Sequence, residues 1–290
     1  MDIKKVFSNN VLRIIIESFN LCNRKCYMCP QSLNLRKDQY EEFPQELFEK
    51  LLLDLASINY SNTIAFGRYH EPLMFIDITL QRIARVRKLL PNAKILLNTN
   101  GDFINPDVIR KLAETGLSDL KIMRYQNGTF SDKNAEELCL KMIHMLKLQV
   151  ISEQYEKGII RKYIIEPQLG MKVSIKSENY DVASRGCNRG GLLSNFDDYG
   201  RTLPCDVPMK NIDIDYNGNI LPCNNLLSDA PQHKPYVIGN LRTISIFEAY
   251  ERCFTSDFVL RIRNGDFSKD YVCQKCSYFY NTDAKELITM

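Results

Sequence analysis

No stretch of the 290 residues approaches the ~18–20 consecutive apolar side chains that span a bilayer, so no membrane partner is expected. The opening segment, MDIKKVFSNNVLRIII, carries an apolar run too short and too interrupted for a signal peptide. Charge of one sign is scarce as well. Thirty-eight basic against 35 acidic residues leave +3 with histidines neutral, and no long basic run forms. Nucleic acid and anionic membrane surfaces are therefore not implied as partners. Internal repeats and low-complexity segments are absent. A composition of 44% apolar and 25% charged residues excludes wholesale disorder. What remains is a globular chain long enough for one large domain, or a large one with a small one, expected in the cytoplasm.

Cysteine, by contrast, is plentiful: there are ten. In a reducing cytosol clustered cysteines point to metal or catalysis rather than disulfides. Three lie at 22, 26 and 29, Cys139 stands alone, and six fall between 187 and 276. The distribution predicts two metal-binding regions.

The first ~175 residues alternate strand-like and helix-like patterns. Strands are expected at Val11–Phe19, Thr63–Phe66, Lys94–Asn98, Leu120–Met123, Tyr163–Glu166 and Lys172–Ile175. Helices are expected at Phe43–Ser57, Ile76–Leu90, Pro106–Thr115 (closed by Gly116) and Ala135–Gln149. Repeated β-then-α order implies an α/β fold with a parallel sheet and helical crossovers, doubly wound or barrel-like. After residue ~180 glycine, asparagine and cysteine rise. Short strands at Ile212–Tyr216 and Ile220–Pro222 flank Asn217-Gly218, a hairpin signal, and Ile244–Cys253 reads as one helix. A small loop-rich region of this size has a weak core, which a metal cluster would help to hold.

The first cysteines sit in Cys22-Asn-Arg-Lys-Cys26-Tyr-Met-Cys29-Pro30. Three thiolates can hold three irons of a cubane and leave the fourth open to a small-molecule chelate. A zinc site is the plainer alternative, but it would want a fourth ligand nearby, and His70, the nearest histidine, lies beyond the next helix. This CxxxCxxC, on a loop after the first strand of a βα-repeating chain, resembles the signature of the radical S-adenosylmethionine (SAM) superfamily. Further landmarks follow in order. Gly67-Arg-Tyr-His-Glu71-Pro72 looks like part of the family's GGEP segment, with Glu71-Pro72 the matching portion, and Leu96–Gly101 (LLNTNG) resembles its third-strand TNG.

The resemblance implies a partial (β/α)6 TIM-like barrel over residues 1–180. It implies a [4Fe–4S] cluster on Cys22, Cys26 and Cys29, with SAM bordered by Met28, Gly67, Glu71, Thr99 and Asn100. It also implies a 5′-deoxyadenosyl radical that abstracts hydrogen from substrate carbon, fed by an electron donor such as flavodoxin or ferredoxin. The plainer readings are a strand-end Glu71 paired with Arg68, and Asn98 and Asn100 as turn residues.

Residues 181–290 resemble the SPASM/twitch extension, a small cysteine-rich α+β domain. Cys187 with Arg189-Gly190-Gly191, Cys205, Cys273 and Cys276 match its ligand pattern, which implies a second, auxiliary [4Fe–4S] cluster; four thiolates with a CxxC also suit zinc. Cys223 is left as an alternative ligand. Cys253, on a helix, reads as a buried apolar residue or, more sharply, as a thiol that returns hydrogen to a substrate radical. Cys139 reads as core. His70, at a strand end, is a candidate for substrate contact, His144 a helix residue and His233 a surface loop residue. Lys121, Arg124 or Tyr125 could meet the SAM carboxylate or a polar substrate.

Three reactions compete. Oxidation of a carbinol on a sugar, aminocyclitol or related small metabolite leads, since one auxiliary cluster on a short chain resembles the aminocyclitol dehydrogenase type. Epimerisation, which needs a donor such as Cys253, is second. Maturation of a ribosomal peptide is third, as the triad begins at residue 22 and leaves no room ahead of it for a peptide-recognition domain. A non-catalytic scaffold would require a degenerate SAM site, which the intact motifs oppose.

Overall fold

One face of the central sheet is hydrocarbon and the other polar, a direct result of period-two alternation along its strands. The computed structural model describes residues 2–36, 38–182, 185–194 and 200–277. Its strands are β1 (Arg13–Ile16), β2 (Thr63–Phe66), β3 (Lys94–Thr99), β4 (Asp119–Met123), β5 (Val150–Glu156), β6 (Ile160–Gln168), β7 (Met171–Glu178), β8 (Asn211–Ile214), β9 (Asn219–Leu221) and β10 (Gly239–Asn240). They form one sheet in the order β10-β9-β8-β1-β2-β3-β4-β7-β6-β5. The stretch from β8 to β7 is parallel throughout.

Across that stretch the register aligns Ile214, Ile16, Phe66, Leu97, Leu120 and Val173 in one row. These side chains share a single core with the helices α1 (Ile3–Asn10), α2 (Gln45–Ala56), α3 (Ile76–Leu89), α4 (Pro106–Glu114) and α5 (Asp132–Leu146). Each such Ile, Leu or Phe contributes about 1.5–3 kcal/mol on burial, so this face holds the fold. The alternate residues Arg13, Ile15, Asn98, Lys121, Met123 and Lys176 border a cavity instead.

Most expected elements are present within a few residues, with three differences. The N-terminal apolar stretch is a short helix, α1, capped by the Asp2 carboxylate, followed by a four-residue strand. Helix α5 ends at Leu146, where Lys147 takes a left-handed φ of 54°, and an unexpected strand β5 follows, exposed along its whole length. The simple β-then-α alternation therefore stops there, since β5, β6 and β7 form an antiparallel meander before β7 joins β4. Finally, β8 does not belong to a separate sheet but pairs in parallel with β1. Six parallel strands thus stand side by side, the number the barrel expectation required. The sixth, however, is supplied by the C-terminal third, and the sheet is open, with β10 and β5 as its edges.

The polar face is tied together by charge. Glu17, wholly buried just past β1, accepts from Arg36 Nη2 at 2.7 Å and from the Tyr69 amide at 2.9 Å, and it lies 3.3 Å from Arg68 Nη1. Arg36 also donates to Asp229 at 2.8 Å, while Arg68 faces Asp213 of β8 at 3.5 Å and reaches the Leu226 carbonyl. Burial pushes the Glu17 carboxyl up, but Arg36 and Arg68 outweigh it and hold it below the usual range. Asp213, with a more distant partner, is pushed up by burial to about 7. Such a network adds little net stability, yet removing one member leaves buried charges uncompensated. Glu17→Gln is expected to lower unfolding free energy by about 3–5 kcal/mol in urea denaturation; a loss below about 1 kcal/mol, the scale of an exposed pair, would mean the guanidinium groups find other partners.

Candidate active site

The loop after β1 and the ends of β1–β4 and β7 enclose a cavity of about 370 Å³ on the polar face. Cys22, Cys26 and Cys29, each a free thiol, border it together with Met28. The loop is held in place rather than merely draped. Arg24 grips Asp102 at 2.6 and 2.5 Å, Asn23 donates to the same carboxylate at 2.8 Å, and Asn100 Nδ2 donates to Asn23 at 2.8 Å. The turn after β3 is thereby bolted to the cysteine loop. Gly101, at φ +79°, allows this, because a Cβ there would stand 2.7 Å from Ile122.

Glu71 organises the same turn. Its carboxylate accepts from Thr99 Oγ1 at 2.6 Å, the Asn100 amide at 2.7 Å and the Leu73 amide at 3.1 Å, and burial raises its pKa despite those donors. It is not paired with Arg68, whose partners are Glu17 and Asp213. Glu71, Thr99 and Asn100 all border the cavity; Gly67 does not, and lies instead where a Cβ would meet Asn98 Nδ2 at 3.3 Å. The Met28 carbonyl accepts from Arg189 Nε at 3.2 Å.

His70 also borders the cavity. Its Nε2 accepts weakly from the Ser18 amide at 3.4 Å, its ring meets Phe19 edge-on, and burial depresses its pKa to about 3. The imidazole is neutral at physiological pH and is no proton donor there.

Burial pushes the thiol of Cys22 up to about 12 and that of Cys26 to about 11, and raises that of Cys29. Three half-buried thiols, raised by burial despite Arg24 near Cys26 and Arg189 and Arg36 near Cys29, suit a metal group whose positive charge would stabilise the thiolates. The three residues border a void rather than meet at a point. Among the described residues no three His, Cys, Asp or Glu side chains gather as they would around one ion. That suits a cluster, in which each thiolate holds a different iron.

A second, smaller cavity of about 20 Å³ lies in the C-terminal third, beside α6 (Val207–Lys210), which precedes α7 (Ile246–Thr255), and α8 (Asp257–Arg263) and α9 (Tyr271–Gln274), which follow it. Four thiols border it: Cys205, Cys223, Cys273 and Cys276. Burial raises the pKa of Cys205, Cys223 and Cys273. The expected set named Cys187 and kept Cys223 as an alternative; the structure brings Cys223, not Cys187, together with Cys205, Cys273 and Cys276. Cys187 lies on the wall of the large cavity, its Sγ donating to Asn225 Oδ1 at 3.0 Å. Cys223 joins the four because the β8–β9 hairpin turns the chain back on itself at Gly218 (φ +80°), bringing its two flanks together. The hairpin signal carried this information already.

Two other expectations change. Cys253 is wholly buried on α7, which packs its Tyr250 and Phe247 on Phe7 of α1, and it borders neither cavity. Burial alone lifts its thiol to about 12. His233 is no surface residue but is buried, accepting from the Leu227 amide and donating to the Gly190 carbonyl, each at 2.9 Å. Cys139 is core and His144 an exposed helix residue, as expected. Lys121 and Tyr125 border the cavity; Arg124 instead donates to the Asn100 carbonyl at 2.8 Å. Residues that sequence reasoning did not single out include Arg189 as a bridge and Asn225, which no local motif marks.

Residues 16–123 match the model of the radical SAM superfamily, and residues 205–277 that of an iron–sulfur cluster-binding domain, SPASM. The chain is a radical SAM protein with a C-terminal SPASM-type domain, and its family implies a [4Fe–4S] cluster and SAM at the triad and an auxiliary iron–sulfur group behind it. A curated relative, the S-adenosyl-L-methionine-dependent 2-deoxy-scyllo-inosamine dehydrogenase of Niallia circulans, is 24% identical over 265 residues, 91% of this chain and 92% of that one. The fold is similar to that of BtrN in complex with AdoMet and 2-DOIA, at TM-score 0.67, 22% identity and 92% coverage of both chains. It is also similar to BtrN in an open conformation, at TM-score 0.59, 19% identity and 92% of both chains.

After anaerobic reconstitution, about eight irons are expected in the parent and about four in Cys223→Ala, while Cys187→Ala keeps about eight; the reverse pattern for the two variants would restore the ligand set expected from sequence. For His70, a neutral ring in the folded state means that the unfolded chain binds the extra proton, so its contribution to stability is lost as pH falls below 6.5 toward 3. Denaturation of His70→Gln should show a flatter decline across that window, and an unchanged slope would mean that the imidazole titrates normally.

Proposed function

We propose that this chain is an oxidoreductase that oxidises a carbinol carbon of a small polar metabolite of the sugar or cyclitol class. When bound, SAM with a reduced cluster on Cys22, Cys26 and Cys29 supplies a hydrogen-abstracting 5′-deoxyadenosyl radical, and an auxiliary cluster on Cys205, Cys223, Cys273 and Cys276 supplies a one-electron acceptor. The observation that carries the reading is Asn225. Its Oδ1 accepts from Cys187 and Arg189 at the wall of the large cavity, both at 3.0 Å, while its amide and Nδ2 lie 3.5 and 3.9 Å from the sulfurs of Cys223 and Cys276. Asn225 thus links that wall to two of the four thiols, and Arg189, which donates to the Met28 carbonyl, links it to the triad loop, a connection that supports an electron leaving the substrate toward the second site.

The oxidation removes from the carbinol a hydrogen atom, an electron and the hydroxyl proton. Glu71 takes three hydrogen bonds, from Thr99, Leu73 and Asn100, whereas Glu178, the other carboxylate on the wall among the described residues, takes one on each oxygen, from Lys176 at 2.8 Å and Tyr180 at 3.1 Å, so the proton is assigned to Glu178. The cavity walls position the substrate and keep water away. We place the enzyme in the cytoplasm, where thiols stay reduced and flavodoxin or ferredoxin could supply electrons; no helix among the described residues is long and apolar enough to cross a membrane.

A redox-neutral reaction remains a second reading, favoured by one observation: Cys187 puts a thiol on the cavity wall, whereas Cys253 does not. The test is anaerobic turnover in D₂O with SAM and a chemical reductant. Oxidation predicts 5′-deoxyadenosine together with a carbonyl product free of solvent deuterium, and the Cys22/Cys26/Cys29→Ala variant should yield neither. Deuterium at the reacting carbon, lost in Cys187→Ala, would establish epimerisation instead.

A further inference from the structure

Among the described residues, the wall of the large cavity carries seven Lys and Arg side chains against two carboxylates, Glu71 and Glu178. Most of the cations are already engaged. Arg24 is held by Asp102 at 2.5 Å, Arg68 lies between Glu17 and Asp213, and Lys176 and Arg185 share Glu178 at 2.8 and 3.7 Å. Arg189 donates to the Met28 carbonyl and to Asn225. Arg13 and Lys121 differ: among the described residues neither side chain has an ion pair or hydrogen bond, and the buried Arg13 Nε is without a partner. Two carboxylates act on them only at longer range: Asp119, which attracts Lys121, is paired with Lys94 at 2.6 Å, and Asp213, which attracts Arg13, lies 3.5 Å from Arg68 Nε with neither oxygen hydrogen-bonded among the described residues.

We propose that the substrate is an anion, with a phosphoryl or carboxylate group held between Arg13 and Lys121 on the polar face of the sheet. This deepens the proposed function and rests on this cavity being the substrate site. An uncompensated ammonium and guanidinium in a half-buried wall are costly unless something pairs with them, and a bound anion does so through charge-assisted hydrogen bonds. Burial, then the like charges of Lys176 and Arg13, bring the Lys121 ammonium down to about 8, so it remains mostly charged at neutral pH and under strain that an anion would relieve. A substrate bearing an ammonium group would add another positive charge to the same place. Glu178 does not alter this balance, because Lys176 and Arg185 already occupy it.

The experiment measures binding by calorimetry to the anaerobic, cluster-reconstituted, SAM-loaded protein. The probes are glucose, glucosamine, glucose 6-phosphate and glucuronate, which share a ring and differ in charge, with inorganic phosphate as a ring-free probe. Glucose 6-phosphate or glucuronate should bind at least about ten-fold more tightly than glucose, with phosphate competing. Lys121→Met and Arg13→Met should each remove about ten-fold of that preference, and Lys121→Arg should retain most of it. SAM affinity and iron content should stay as in the parent. Equal binding of the ring probes, no binding of any probe, or a preference for glucosamine would overturn the inference. So would loss of SAM affinity in Lys121→Met, which would assign the lysine to the cofactor carboxylate. The two readings fail separately. Phosphate or glucose 6-phosphate binding without any SAM cleavage would sink the proposed reaction and leave the anion site standing. SAM cleavage stimulated by glucose or glucosamine but not by the anions would do the opposite.

Discussion

The buried carboxylate of Glu17 is the point on which the rest of this structure depends. It sits where β1 ends and the cysteine loop begins, and it gathers Arg36 from beyond that loop, Arg68 from the end of β2 and the amide of Tyr69. Through those two arginines it reaches Asp229 and Asp213 in the C-terminal third. A sheet face of hydrocarbon would pack without such specificity. Charges that cannot be left alone set which loop meets which strand end. The network thereby joins the cysteine triad to the strand β8 that extends the sheet.

From that constraint follows the relation between the two thiol sites. The C-terminal third is not an appendage, because its hairpin completes the parallel sheet and its α7 packs against α1. The four thiols around the smaller cavity are fixed relative to the triad by shared strands and by Asn225 and Arg189 between them. Clusters held by the two thiol sets would therefore be fixed relative to one another by the fold, an arrangement suited to removing an electron as well as a hydrogen atom. On the polar wall, Arg13 and Lys121 have no hydrogen bond or ion pair among the described residues, which is the basis of the proposed anion site.

Much of this was legible in the residues themselves. Short apolar strands in repeated β-then-α order, ending at Gly67 and in Thr99-Asn100-Gly101, located β1 to β4, and the cysteine spacing located the triad. Strand β5 escaped because it is an exposed edge, with Ile151 and Tyr155 facing solvent, so no buried face imposes a pattern. The exchange of Cys187 for Cys223 has a different origin. Neighbouring Arg-Gly-Gly made Cys187 look motif-like, but which thiols converge is a matter of hairpin geometry, and Asn217-Gly218 had already announced the hairpin. His233 lies in a polar stretch yet is buried, because both its nitrogens are satisfied by backbone, a long-range fact that local polarity cannot convey.

Anomalous diffraction at the iron edge from anaerobically reconstituted crystals would locate the clusters within the sheet-based frame. Two peaks are expected, one among Cys22, Cys26 and Cys29 and the other among Cys205, Cys223, Cys273 and Cys276, with Arg189 and Asn225 linking the two sites. A single peak, or a second peak bound by Cys187 with Cys223 left free, would overturn the two-site arrangement.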